Sequence, residues 1–155
     1  MAMRIYQPMP LAVGMMDLDD NASHHLARVL RAAVGDEIIL FNGEGGEYHA
    51  VIRQVTKKCV TVEALNFVAR ETESPLRLTL AQGVARGEKM DFVIQKAVEL
   101  GVSEIVPVIS ERCNVRLDQE REQKRVHHWQ AVIISACEQS GRNRLPILRA
   151  PISLP

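Results

Sequence analysis

Residues 76–109, LRLTLAQGVARGEKMDFVIQKAVELGVSEIVPVI, constrain the fold more than any other stretch. Residues 76–81 alternate leucine with polar and small side chains, which predicts a strand, and residues 82–87 form a turn carrying Gly83, Arg86 and Gly87. From Glu88 the apolar residues Met90, Val93, Ile94, Ala97 and Leu100 recur at helical spacing. Glu88 suits the positive end of that helix, and Gly101 supplies a C-terminal stop. Residues 105–109 predict a second buried strand. Strand, helix and strand make a βαβ unit with parallel strands and a right-handed crossover. A parallel sheet has both faces covered and usually more than two strands. Only one further long helix follows, so the sheet is expected to be completed either by another chain or, the favoured reading, by the rest of a longer protein.

The 155 residues are 46% apolar and 25% charged, ordinary values for a globular chain. No apolar run approaches the ~20 residues that span a membrane, and the first residues lack a signal-peptide layout. Cys59, Cys113 and Cys137 are odd in number and form no C-x-x-C pair, which suits a reducing cytoplasm. Net charge is zero, with −2 over residues 1–72 (seven Lys/Arg, nine Asp/Glu) and +2 over 73–155 (twelve against ten). Bulk charge therefore does not announce a nucleic-acid binder, and any phosphate contact must come from a local patch.

Residues 4–7 predict a short first strand. Asp20 or Asn21 can cap a helix with apolar face Ala22, Leu26, Val29 and Leu30, closed by Gly35. His25, Arg28 and Arg31 follow one another at three-residue spacing and should form one polar stripe. Residues 37–41 and 47–55 predict strands around the turn 42–46, and Gly43, Gly45 and Gly46 are turn glycines. No helix start or G-K-[ST] ending follows them, so they make no phosphate loop. Lys57 and Lys58 turn the chain into a strand over 59–65. Several short strands and one helix suggest a small barrel-like β domain. Residues 70–75, RETESP, read as a linker, dividing the chain into 1–72 and 73–155.

After residue 109, Glu111 and Arg112 stand at a strand's carboxyl end, where open α/β sheets place ligands. Asp118 should cap a long helix with apolar stripe Val126, Trp129, Ile133, Ala136 and Cys137. His24–His25 and His127–His128 are adjacent pairs, unable to face one metal from a helix, so no metal site is expected. Past the helix stop at Gly141, Arg142 and Arg144 lie in a loop where cations are placed to recognise an anion.

These residues resemble the RsmE family. The matching strings are HHLARVLR (24–31), GDEIILFNGEG (35–45), RGEKMDFVIQKAVELGV (86–102), SERCNVRLD (110–118) and WQAVIISACEQSGRNRLP (129–146). Together they span essentially the whole chain. The resemblance implies a cytoplasmic enzyme that uses S-adenosylmethionine to methylate N3 of a uridine in 16S ribosomal RNA, acting as a homodimer. It implies an α+β two-domain chain: a PUA-like RNA-binding barrel over 1–72, then the first part of an α/β SPOUT domain over 73–155. The family's GPEGG-type and LRxET-type segments, which tie the trefoil knot and hold the cofactor, do not occur here. The cofactor-binding residues are therefore expected outside this sequence, and this segment alone should be inactive.

Uridine N3 is a poor nucleophile until its proton leaves, so the chemistry asks for a proton acceptor and for donors to the flanking carbonyls. Glu111 or Glu138 could accept that proton. Arg86, Arg112 or Arg142 could neutralise the anion or hold a phosphate, Arg144 could contact RNA, and Gln139 could read the uracil edge. His25, Arg28, Arg31, Lys57 and Lys58 form the best basic patch for RNA docking. A non-catalytic RNA-binding module is the competing reading. A nucleotide-using α/β enzyme is disfavoured, because no Walker or dinucleotide glycine pattern follows either strand.

Overall fold

The computed structural model describes residues 3–110 and 119–154. It divides into two compact units, Met1–Thr72 and Glu73–Pro155.

Unit 1 is one five-stranded sheet in the order β1-β3-β4-β5-β2. Its strands are β1 (Met3–Tyr6), β2 (Gly14–Asp17), β3 (Glu37–Phe41), β4 (Glu47–Val55) and β5 (Val60–Val68). Alternation in β3 and β4 sends Ile38, Leu40, Ala50 and Ile52 inward, where they meet Ile5, Val60, Val62 and Ala64. The sheet curls so that its two edges approach. Gln7, fully buried just past β1, accepts a hydrogen bond from Asp19 N–H beyond β2 at 3.1 Å. The core is plugged by α1 (Asp20–His24), which contributes Ala22 and then runs into a π turn, His25–Val29, that buries Leu26.

The helix differs from its sequence expectation at both ends. Its cap is Asp19, whose carboxylate accepts from Ala22 N–H at 2.7 Å, and not Asp20 or Asn21. It also stops well short of Gly35. Leu30 N–H bonds the His25 carbonyl five residues back, Ala32 N–H reaches the Leu26 carbonyl, and Arg31 between them turns left-handed at φ 53°.

Unit 2 is a parallel sheet of β6 (Thr79–Gly83), β7 (Glu104–Ile109), β8 (Ile147–Leu148) and β9 (Ile152–Ser153). β6 starts and ends later than the predicted 76–81 strand. β8 and β9 were not expected. They pair in turn along one side of β7, as a single strand broken at residues 149–151. Helices α2 (Glu88–Glu99) and α3 (Gln119–Ser140) are the two crossovers of β6-α2-β7-α3-β8. Right-handed connections stepping the same way across the sheet put both helices on one face. There Met90, Ile94, Val98, Trp129, Ile133, Ala136 and Cys137 are buried with Ile105. On the other face Ala81 and the half-exposed Ile147 and Ile152 lie open among the described residues, while Val108 is buried.

Candidate nucleic-acid interface

Unit 1 holds seven arginines and lysines, and the structure sorts them into two groups. Arg4 and Arg70 face the buried carboxylate of Glu47 at 2.7 and 3.7 Å, and Arg53 pairs with Glu63 at 2.7 Å. The remaining four, Arg28, Arg31, Lys57 and Lys58, are exposed, and none makes an ion pair among the described residues. Lys57 and Lys58 lie in the β4–β5 turn at one end of the sheet, Arg28 in the π turn and Arg31 just past it. Val60 N–H donates to Ser23 Oγ at 3.0 Å, and Ile52 N–H donates to the Asp36 carbonyl at 3.0 Å. These bonds tie α1 to the start of β5 and the loop before β3 to β4, the two strands that the Lys57–Lys58 turn joins. Of the nearby carboxylates, Asp17 accepts from Thr61 Oγ1, Asp19 from the helix start and Asp36 from Ala33 N–H, while Asp20 and Glu37 are exposed.

The expected stripe does not form as drawn. In a π turn, three residues cover a smaller part of a revolution than in an α-helix, so His25 and Arg28 diverge. Arg31 leaves the helix altogether. His25 is half-buried, while Arg28 and Arg31 remain exposed. An arginine in the left-handed region costs about 1–2 kcal/mol that a glycine would avoid.

In unit 2, Glu111 and Arg112, with Asp118, lie outside the described residues. Arg86 is exposed on the turn between β6 and α2, next to Gly87, whose φ of 56° and ψ of −139° suit only glycine. Arg144 is exposed, and its carbonyl accepts from Cys137 Sγ. Gln139 is exposed and Glu138 half-buried near the end of α3. Gln139 lines a groove of about 360 Å3 between α2 and α3 with Glu88, Asp91, Phe92 and Gln95. His128 joins the same two helices through Asp91 at 2.8 Å. No cluster of metal-ligating side chains occurs among the described residues.

Arg142 corrects the picture of a free loop cation. It is buried, with Nε and Nη2 donating to the two Glu73 oxygens at 2.8 and 2.5 Å. Its Nη1 donates to the Val98 and Val102 carbonyls, each at 3.0 Å. The guanidinium closes the C-terminal end of α2, where a cation suits the dipole, and ties residue 73 to it.

A second groove, about 440 Å3, lies between α3 and Ala150–Pro151 and is lined by Glu122, Val126 and His127. A methyl-donor cofactor with an adenine ring and an amino-acid carboxylate needs a flat apolar slot and nearby anion-binding donors. The two grooves carry acidic side chains and neither has arginine or lysine in its lining. Neither of these two grooves therefore fits such a cofactor.

Sequence and structure comparisons set these features in a family. A family model described as an RNA methyltransferase domain matches residues 72–155, and one described as an RNA methyltransferase PUA domain matches residues 18–65. Ribosomal RNA small subunit methyltransferase E from Buchnera aphidicola is 31% identical over 88% of this chain and 54% of its own length. The chain spans about half the length of the named relatives it matches. Among solved structures, a Neisseria gonorrhoeae ribosomal RNA small subunit methyltransferase E bound to S-adenosylmethionine has TM-score 0.94 and 46% identity. That match covers 99% of this chain and 63% of that one. A Legionella pneumophila protein described as a methyltransferase, with the same cofactor bound, has TM-score 0.96 and 44% identity over 99% and 64% of the two chains. These similarities bear out the resemblance read from the sequence, including the PUA-like β unit and the α/β methyltransferase fold with its parallel sheet. The chain belongs to the RsmE family of RNA methyltransferases.

Proposed function

We propose that this chain serves S-adenosylmethionine-dependent methylation of uridine N3 in 16S ribosomal RNA, in the cytoplasm. In this reading unit 1 docks the RNA, and unit 2 supplies part of a SPOUT domain that works as a knotted homodimer. The observation that carries it is the close superposition on a relative of that name solved with the cofactor. The four unpaired cations of unit 1 add support, since phosphate contacts of this kind hold RNA in register without reading its sequence. They also leave sequence selection to other groups.

Because neither groove described above fits the cofactor, the roles assigned here concern only RNA and protons. Arg28, Arg31, Lys57 and Lys58 contact phosphates, with His25 at their edge. Arg86 and Arg144, with Arg112, add cations on the unit 2 side, and Gln139 offers an amide to the uracil edge. Glu138 or Glu111 takes the N3 proton, which leaves an anion spread over the flanking carbonyls. Arg142 acts as a positioning residue through Glu73 and the end of α2.

A second reading, in which this chain alone is an RNA-docking module, is favoured by the acidic, cation-free linings of the two grooves described above. Calorimetry with S-adenosylmethionine separates the two, with a full-length relative as positive control. Binding by the control and not by this chain assigns it the docking role. Methyl transfer by this chain to 16S RNA, seen as N3-methyluridine by mass spectrometry, would refute the module reading. RNA binding tests the docking role directly. Arg28→Ala with Arg31→Ala should flatten the dependence of log K on log salt by about 1.4, from ~0.7 per phosphate on single strands. An unchanged slope returns these residues to a solvated face.

A further inference from the structure

Unit 1 contains four aromatic residues, and three are covered: Phe41 is fully buried, while Tyr6 and Tyr48 are partly so. The fourth, Phe67, is 50% exposed near the end of β5. Its orientation is set by a β-bulge. The register passes from Ala50 opposite Ala64 to His49 opposite Asn66, so Leu65 is an extra residue. Without it, Asn66 would follow Val62 and Ala64 onto the inner face, and Phe67 would point outward with Glu63. The bulge instead places Phe67 opposite Tyr48 on the inner side, at the rim where the core ends.

There the ring is held on two sides. Tyr48 lies 5.0 Å away, tilted by 53°, and is fixed by donating its hydroxyl to the Leu11 carbonyl at 2.9 Å. Gly46 supports the ring from the turn. A Cβ at that position would stand 2.3 and 2.4 Å from two Phe67 ring carbons, so the ring occupies the space a side chain would fill. The result is an aromatic surface with little freedom left to lose and one side open to solvent. β2 reaches along β5 only as far as Ala64, so among the described residues no strand lies beside 65–68 on that edge.

We propose that Phe67, seated on Gly46 and Tyr48, is a stacking platform for one unpaired nucleobase of the bound RNA. The inference rests on the RNA-docking reading and extends it from phosphate contacts to a base contact. Single-stranded RNA is recognised by splaying bases onto aromatic faces, and a pre-ordered ring gains most from it. The cationic end of the sheet and this rim lie at opposite ends of β4 and β5. Tyr48 and Val55 are seven residues apart along β4, about 23 Å at ~3.3 Å per residue. A strand held by its phosphates at one end and by a base at the other would cover several nucleotides.

The test compares Phe67→Leu, which keeps apolar bulk without a π face, with Phe67→Trp, which keeps one. The probes are a fluorescein-labelled single-stranded oligouridine and an RNA duplex of equal phosphate count, and thermal unfolding confirms that each variant is folded. Phe67→Leu should weaken the single strand about 5- to 150-fold, the range for one stacked base, with an unchanged salt slope. It should leave the duplex unaffected, and Phe67→Trp should restore single-strand binding. Equal affinity of Phe67→Leu and parent for the single strand overturns the platform alone, as does an equal loss on the duplex. A parent chain that binds neither RNA overturns the docking reading and the platform with it.

Discussion

Replacing Arg142 with alanine should damage the stability of unit 2, and the size follows from what the guanidinium touches. It spans Glu73, Val98 and Val102 with four hydrogen bonds, its side chain 7% exposed and that of Glu73 19%. Removing one partner of a buried ion pair costs about 3–5 kcal/mol, because the other charge is left desolvated. The exposed part of Glu73 lets water recover some of that loss, which moves the figure toward ~3 kcal/mol. The Val98 carbonyl keeps a second donor in Gly101 N–H at 3.0 Å, so its own share is small. Against a total stability of about 5–15 kcal/mol for a domain, this is a large fraction. For a unit of this size it corresponds to a fall of roughly 12–24 °C in Tm.

The assay is built into the chain. Trp129 is the sole tryptophan and sits 4% exposed in α3, so fluorescence excited selectively at tryptophan reports unit 2. Urea titrations of the parent, Arg142→Ala, Glu73→Gln and the double variant give a cycle whose coupling should exceed about 1 kcal/mol. Arg142→Lys should fall between parent and alanine, since an ammonium cannot reproduce the fork. An alanine variant within ~0.5 kcal/mol of the parent would make the contact a solvated pair and refute the argument. It would also restore the sequence expectation of a loop cation available to an anion.

Other perturbations separate fold from function. Arg31→Gly should leave stability unchanged or raise it by up to about 1 kcal/mol, because glycine accepts the left-handed conformation, yet it should weaken RNA binding; lower stability would show that Arg31 is structural. Gly46→Ala should cost about 1–3 kcal/mol from its φ of 69° and the clash with Phe67, read by thermal unfolding, and a neutral substitution would mean that the ring is mobile. Glu104 bonds Arg149 and Thr79, and the Arg149 guanidinium, then Thr79, hold its carboxyl below the usual range. A depressed folded-state pKa gives stability that is present above the unfolded value and lost as pH falls through the folded one. Glu104→Gln should therefore remove part of the acid-side loss in urea midpoints, and an identical acid profile would count against the linkage.

What the sequence disclosed depended on whether a feature is set by neighbours in the chain or by partners far along it. β3 and β4 alternate cleanly and were read to the residue, and α2 began at Glu88 as its spacing required. β2 was missed because Gly14, Met15, Met16 and Asp17 carry little strand pattern; they become a strand only by lying against β5. β8 and β9 are two residues each and exist as strands only through β7. The π turn is local, but five residues are too few for a hydrophobic period to separate it from an α-helix. The cations of unit 1 were legible as residue types, yet which of them face carboxylates (Arg4, Arg53 and Arg70) was set by partners that no spacing rule contains. Arg142 shows the same limit from the other side: its chemistry suggested an anion, and it found one, but Glu73 lies 69 positions away in the chain. Phe67 was hidden by the bulge that aims it. Alternation stops at Leu65, so a pattern reader ends the strand there, two residues before the ring that the irregularity turns toward the rim. Broken periodicity beside an aromatic residue and a left-handed glycine was the signal available, and in this chain it marks a surface worth testing for ligand contact.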